Sequence, residues 1–354
     1  MSSLALDEEA KASLAANRSH VFALVLPALA AIAYPFLLLA LSRLLRVFQV
    51  AAPPSPTIIT VTVLAILASA SGVMGVAFAR ALSLGRIGAG AGSFRLLSHL
   101  AFAAPSLLVG FGNVAGLLHA RGAVMIAWPL FWLAVIAVAG LAQEGPQRAP
   151  EATPVSSHRR LAVAHGISAL AILILFVLPH LANHLAGIVS GAAHIEVMRW
   201  TRLDYRNLIV EPLLLTLISF QIMSGLVLMR RKLSRTSDVF GTLQTMTGVY
   251  VGIYLLAHMT AAFSARGAGT DTNWNWLTYD DRGLLSHLDS FILVAHYWAG
   301  PIAIIAHVAC GLGVVMLEHG VSERMVGRLA WGLVGLGAVA SSVILAGLLG
   351  VHIA

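Results

Sequence analysis

The chain has 354 residues, of which 58% are hydrophobic and only 10% charged, with a mean hydropathy of +0.87. No water-soluble globular domain has this composition, and apolar runs of about twenty residues mean transmembrane helices. The net charge of +7 is spread over short loops, where it orients a membrane protein, so nucleic-acid binding is not expected. One cysteine, Cys310, excludes a disulfide framework and any four-thiolate metal or iron–sulfur site made by this chain alone.

Nine apolar segments follow in order, over 20–45, 57–79, 96–119, 122–142, 161–182, 210–229, 242–263, 289–317 and 328–352. The first is too long for the apolar core of a signal peptide. Segments of this length in lipid must satisfy their backbone groups internally. The expected fold is therefore an all-α, polytopic transmembrane bundle of about nine helices. Prolines over 51–56, glycines over 85–92, a polar stretch over 143–157 and the basic turn Arg230, Arg231, Lys232 and Arg235 separate the segments. The polar stretch divides the chain into a four-helix N-terminal part (1–150) and a five-helix part (151–354). Lys and Arg favour the loops on the N-terminal side. This predicts a cytoplasmic N-terminus and an external C-terminus, in a bacterial inner membrane. Membrane lipid is the first expected partner. Arg199, Arg202 and Arg206, with Trp200 and Tyr205, read as an interfacial segment lying on the membrane surface.

The glycines at 85, 88, 90 and 92 follow no strand and precede no Lys-Ser/Thr, so they form an inter-helix loop rather than a nucleotide site. The central parts of the nine segments hold no Asp, Glu or Lys, which disfavours a cation- or proton-coupled transporter. Their ionisable groups are imidazoles. Neutral imidazole is a good axial ligand for haem iron, and bundles build cofactor sites from facing helices. His258 lies near the end of the seventh segment, and His296 and His307 lie within the eighth. His180 is in the fifth, one helical turn before His184. Pro179 predicts a break in the helix just before His180. His180 and His258 sit at similar depth and are expected to face each other, with His184 in reserve and His296 nearby. Gln221 and His307 share a deeper level. His99 and His119 are expected to cap the third segment, and His184, His194 and His287 to lie at the wet interface.

Two motifs carry a resemblance. Thr247-Gly248 is followed ten residues later by His258 and then Ser-Ala-Arg-Gly, and His307 stands four residues before Gly311. Over residues 160–352 this resembles the cytochrome b membrane anchor of succinate dehydrogenase and fumarate reductase. The five-helix count matches the single-chain, di-haem form of that anchor. The resemblance implies an outer haem between His258 and His180 or His184, and an inner pair of Gln221 with His307. Gln221 departs from the family pattern, so one haem b is expected, or two if the inner level also binds. The resemblance further implies electron exchange with quinone and soluble flavin and iron–sulfur partner subunits, since this chain carries neither motif. Tyr205, Arg206, Asp289 and Tyr297 are candidate quinone donors. The competing reading is a haem-free membrane transporter or scaffold whose histidines pack helices together.

Overall fold

The computed structural model describes residues 23–44, 55–84, 92–141, 155–233, 237–278 and 292–354; for 55–67 and 155–158 only the backbone is described. His20, His287, Asp289, the 85–91 loop and the linker over 143–154 lie outside the described residues, as does the side chain of His158. Every described element is helical: α1 (Ala23–Leu44), α2 (Ser55–Ser83), α3 (Gly92–Phe102), α4 (Ala104–Leu117), α5 (Val124–Leu141), α6 (Val155–Ile172), α7 (Leu178–Ala186), α8 (Gly191–Tyr205), α9 (Val210–Leu233), α10 (Val239–Gly267), α11 (Trp274–Thr278), α12 (Ile292–Glu318) and α13 (Glu323–Leu348).

Among the described residues seven helices are long and apolar enough to cross a membrane, or eight if the bent pair α3 and α4 is one span. The chain is an integral membrane protein, and the expected count of nine is met only in part. The segment expected over 96–119 is broken by a 74° bend. Pro105 occupies the first turn of α4, where its missing N–H costs nothing, but a helix running through that point would need the donor. The segment expected over 57–79 lies in α2, whose side chains are described only from Ala68 onward.

Pro179 does not break the fifth segment. The helix widens into a π turn over Leu173–Val177 and runs on to Ala186. A wider turn accommodates the proline without loss of direction. The segment expected to lie on the membrane surface forms α8, capped by the Ser190 hydroxyl, which accepts from the N–H of Ala193.

The bundle is not two separate halves. α10 packs on α4, α3 and α2 as well as on α12, and α4 also packs on α12. A core of Ala28, Ala31, Phe94, Leu97, Trp128 and Trp132 ties the N-terminal helices together. The indole N–H of Trp128 donates to the Ala31 carbonyl at 2.8 Å, so its polar atom is satisfied within the core.

Contacts identify the two ends of the bundle. At one end the C-terminal tail pairs with the close of α7, the Ile353 N–H donating to the Ile188 carbonyl at 2.9 Å. Trp274 lies against Gly187 and Gly191, where any side chain would collide with its ring. At the other end Arg95 donates to the carbonyls of Lys232 and Leu233 at 3.0 and 2.9 Å. These are among the carbonyls that the last turn of α9 leaves without helical partners, and a cation there also opposes the helix dipole. Arg80 adds a hydrogen bond to the Ser237 carbonyl at 2.8 Å.

Candidate functional site

The imidazoles gather at two depths. At the level of the C-terminal tail, α7 carries His180 and His184 one turn apart, with their Nε2 atoms 3.2 Å from each other. The His180 ring stands 6.0 Å from the ring of His258 on α10, nearly perpendicular to it. Phe176 stacks on His180 at 4.7 Å. His258 is flanked by Tyr254, in a near-parallel stack at 5.5 Å, and by His296 at 6.4 Å. Among the described residues His258 makes no hydrogen bond, and the Nδ1 atoms of His180 and His184 are buried without partners. Buried polar atoms in folded proteins are nearly always satisfied, so these nitrogens are candidates for holding a ligand.

Two imidazoles bound to one iron through bonds of about 2 Å have nitrogens about 4 Å apart and ring centroids about 6 Å apart. At the level of the C-terminal tail, His180 on α7 and His258 on α10 stand at that centroid spacing, beside the rings of Phe176 and Tyr254. Among the described residues no group of three or more His, Cys, Asp or Glu is arranged to hold a metal ion. A haem iron needs only two protein ligands.

His296 is fully buried, and its Nδ1 is 3.0 Å from the Ser106 hydroxyl of α4. A cavity of about 280 Å³ opens between α4, α10, α11 and α12, lined by Asn113, His258, Trp276, His296 and Tyr297 among others. Tyr297, one of the expected quinone donors, lines this cavity beside the cluster. Tyr205 instead packs edge-on against Phe176 at 5.3 Å, and Arg206 donates to the Thr272 hydroxyl at 2.8 Å.

His194, expected at the wet interface, is buried instead. His194 is 2% exposed, contacts Trp274 at 4.8 Å and sits 3.2 Å from the side-chain amide of Asn183. Burial, and secondarily the charge of Arg202, push the His194 imidazolium down to about 4. His99 does not cap a helix: it is fully buried within α3, and among the described residues neither ring nitrogen has a hydrogen-bond partner. His352 lies within 3.0 Å of the Gly187 carbonyl.

The deeper level differs from expectation. Gln221 does not turn toward His307. Its amide donates to the His165 carbonyl at 2.6 Å and the Ser168 hydroxyl at 2.5 Å, both on α6. The ring that faces His307 is His165, at 6.3 Å. The signal for His165 lies in its spacing: it precedes His180 by fifteen positions, close to four helical turns, so both imidazoles project from similar faces of one span.

Comparison with family models, curated proteins and solved structures found no match.

Proposed function

We propose that this protein is a b-type cytochrome of the membrane that carries electrons to or from the quinone pool. His180 and His258 would hold one haem b at the outer level, with His184 beside His180 and His296 beside His258. The observation that carries the reading is the 6.0 Å approach of the His180 and His258 rings, at the spacing that one iron requires. The haem would supply a one-electron carrier, while the chain fixes its ligands and its apolar surroundings, and so its potential.

The cavity beside His258 and His296 suits a quinone headgroup, which needs an apolar cleft with a few hydrogen-bonding groups. Tyr297 supplies a hydroxyl there. Soluble subunits would bring the dehydrogenase chemistry, since the chain has no flavin or iron–sulfur motif. The gathering of Arg80, Arg95 and the basic close of α9 at the opposite end supports a topology with that end and the N-terminus in the cytoplasm.

The test is a reduced-minus-oxidised spectrum of the purified, haem-replete protein. A sharp b-type α-band in the wild type that is lost or halved in His258→Ala supports the reading. The absence of any band in the wild type would overturn it in favour of a haem-free transporter or scaffold.

A further inference from the structure

α6 and α9 run antiparallel, and two side-chain bonds fix their register. The Ser224 hydroxyl lies 2.8 Å from the His165 Nδ1, and Gln221 donates to the Ser168 hydroxyl at 2.5 Å. Each step along α6 is therefore matched by one step back along α9. Arg160 stands five residues before His165, and Arg230 six residues after Ser224. At 1.5 Å per residue the two arginines share one depth to within about 2 Å. They stand on packed helices about 8–10 Å apart, at the end of the bundle marked by Arg95.

Their direction follows from the same register. Each residue turns the helix by about 100°. With His165 and Ser168 turned toward α9, Arg160 and Ile167 fall on one flank of the seam. With Ser224 and Gln221 turned toward α6, Arg230, Val227 and Met223 fall on that same flank. The flank faces away from the protein: both arginines are exposed, and Ile167, Val227 and Met223 are 66, 46 and 64% exposed. The buried Leu214 and Ile218 lie on the opposite side of α9. We infer that this flank binds one anionic phospholipid, its phosphate between Arg160 and Arg230 and its acyl chains along Ile167, Val227 and Met223. The site needs no haem and is independent of the cytochrome reading.

Charge complementarity selects the occupant. Among the described residues α6 has no carboxylate, and the only one on α9, Glu211, is at the far end. At that far end the cations are matched within the chain, Arg199 with Glu196, Arg202 with Asp271 and Arg266 with Glu211. Arg230 is not needed to cap α9, because Arg95 already donates to the carbonyls of Lys232 and Leu233. A guanidinium presents a planar fork that matches phosphate oxygens. Each such cation beside an anionic headgroup is worth about a fivefold gain in affinity. Among the other spans α6 packs chiefly on α9, so a lipid held by both helix ends would clamp the pair.

The experiment is native mass spectrometry and thermal unfolding of delipidated protein in a neutral detergent. The wild type, Arg160→Gln/Arg230→Gln and a control, Arg324→Gln/Arg328→Gln, are each titrated with phosphatidylglycerol, phosphatidylcholine or inorganic phosphate. The control pair is also exposed, near the start of α13. The wild type should hold one phosphatidylglycerol at least tenfold more tightly than phosphatidylcholine, with a raised unfolding midpoint. Arg160→Gln/Arg230→Gln should lose at least tenfold for phosphatidylglycerol only, and the control should match the wild type. Equal retention of the two lipids by the wild type would overturn the site. Equal losses in both double variants would also overturn it, in favour of a diffuse charge effect. Protection by inorganic phosphate as strong as by phosphatidylglycerol would replace the lipid with a free ion. The visible spectrum of the same samples tests the cytochrome reading separately, and a missing α-band leaves the lipid result standing.

Discussion

Ser106 on α4 and His296 on α12 meet in a hydrogen bond of 3.0 Å with both side chains fully buried. The bond joins the N-terminal helices to the helix that carries two of the candidate site histidines. The N-terminal part is therefore a wall of the site rather than an appendage to it. Ser106→Ala leaves the His296 Nδ1 buried and unpaired, at a cost of about 1–3 kcal/mol. The expected outcome is a lower unfolding midpoint in detergent; unchanged thermal and denaturant transitions would show that the bond contributes nothing.

Gly248 and Gly252 lie one turn apart on α10 and should respond differently to a methyl group. A Cβ at Gly248 meets the His307 ring, whereas one at Gly252 meets nothing within 4 Å. Gly248→Ala is expected to displace His307 and to lower the unfolding midpoint in detergent. Gly252→Ala should leave that midpoint unchanged or raise it slightly. Thermal unfolding of the two variants, measured side by side, checks the contrast.

Ala261 lines the cavity beside His258 and His296. Filling that cavity with Ala261→Phe should block a quinone while both candidate ligands, His180 and His258, are retained. Reduction of the protein by a water-soluble quinol should slow at least tenfold while the dithionite-reduced α-band stays intact. Equal quinol rates in the two proteins would remove the cavity from the mechanism.

Acid should destabilise the end of the bundle around His194, which is faced by His184, Asn183, Arg202 and Trp274. The imidazole titrates at about 4 in the folded chain against an ordinary value of 6.5. Between those values the unfolded state binds more protons. Stability is therefore full above about pH 6.5 and is lost as pH falls toward 4, by roughly 3 kcal/mol for this group. The unfolding midpoint of the wild type should drop over that window, and that of His194→Gln should drop less. Parallel pH profiles for the two proteins would refute the assignment.

Much of the architecture was legible in the chain because hydropathy is a property of single segments. Seven of the nine expected spans appear as unbroken helices among the described residues, and α8 forms where the Arg-, Trp- and Tyr-bearing interfacial segment was expected. Proline was harder to read. Pro179 was expected to break a helix that instead widens and continues, whereas Pro105 opens α4 beyond a 74° bend that hydropathy alone does not register. The difference lies in what surrounds each proline, since a widened turn can absorb a missing donor and an ordinary α turn cannot.

The sequence by itself determined a helical membrane protein with histidines as the ionisable groups of its spans, and it placed His180 and His258 at similar depth, where their rings stand 6.0 Å apart. Only the tertiary structure decided which ring faces which at the deeper level. Each residue turns a helix face by about 100°, so the direction of a side chain in the bundle depends on how its whole helix is rotated against its neighbours. That rotation directs Gln221 to the backbone of α6 and His165 to His307. Small residues such as Gly248 and Gly225 carry no hydropathic signal, yet they set how closely the helices and rings approach. The same rotation turns His296 toward Ser106, a contact across 190 positions of chain that no local pattern encodes.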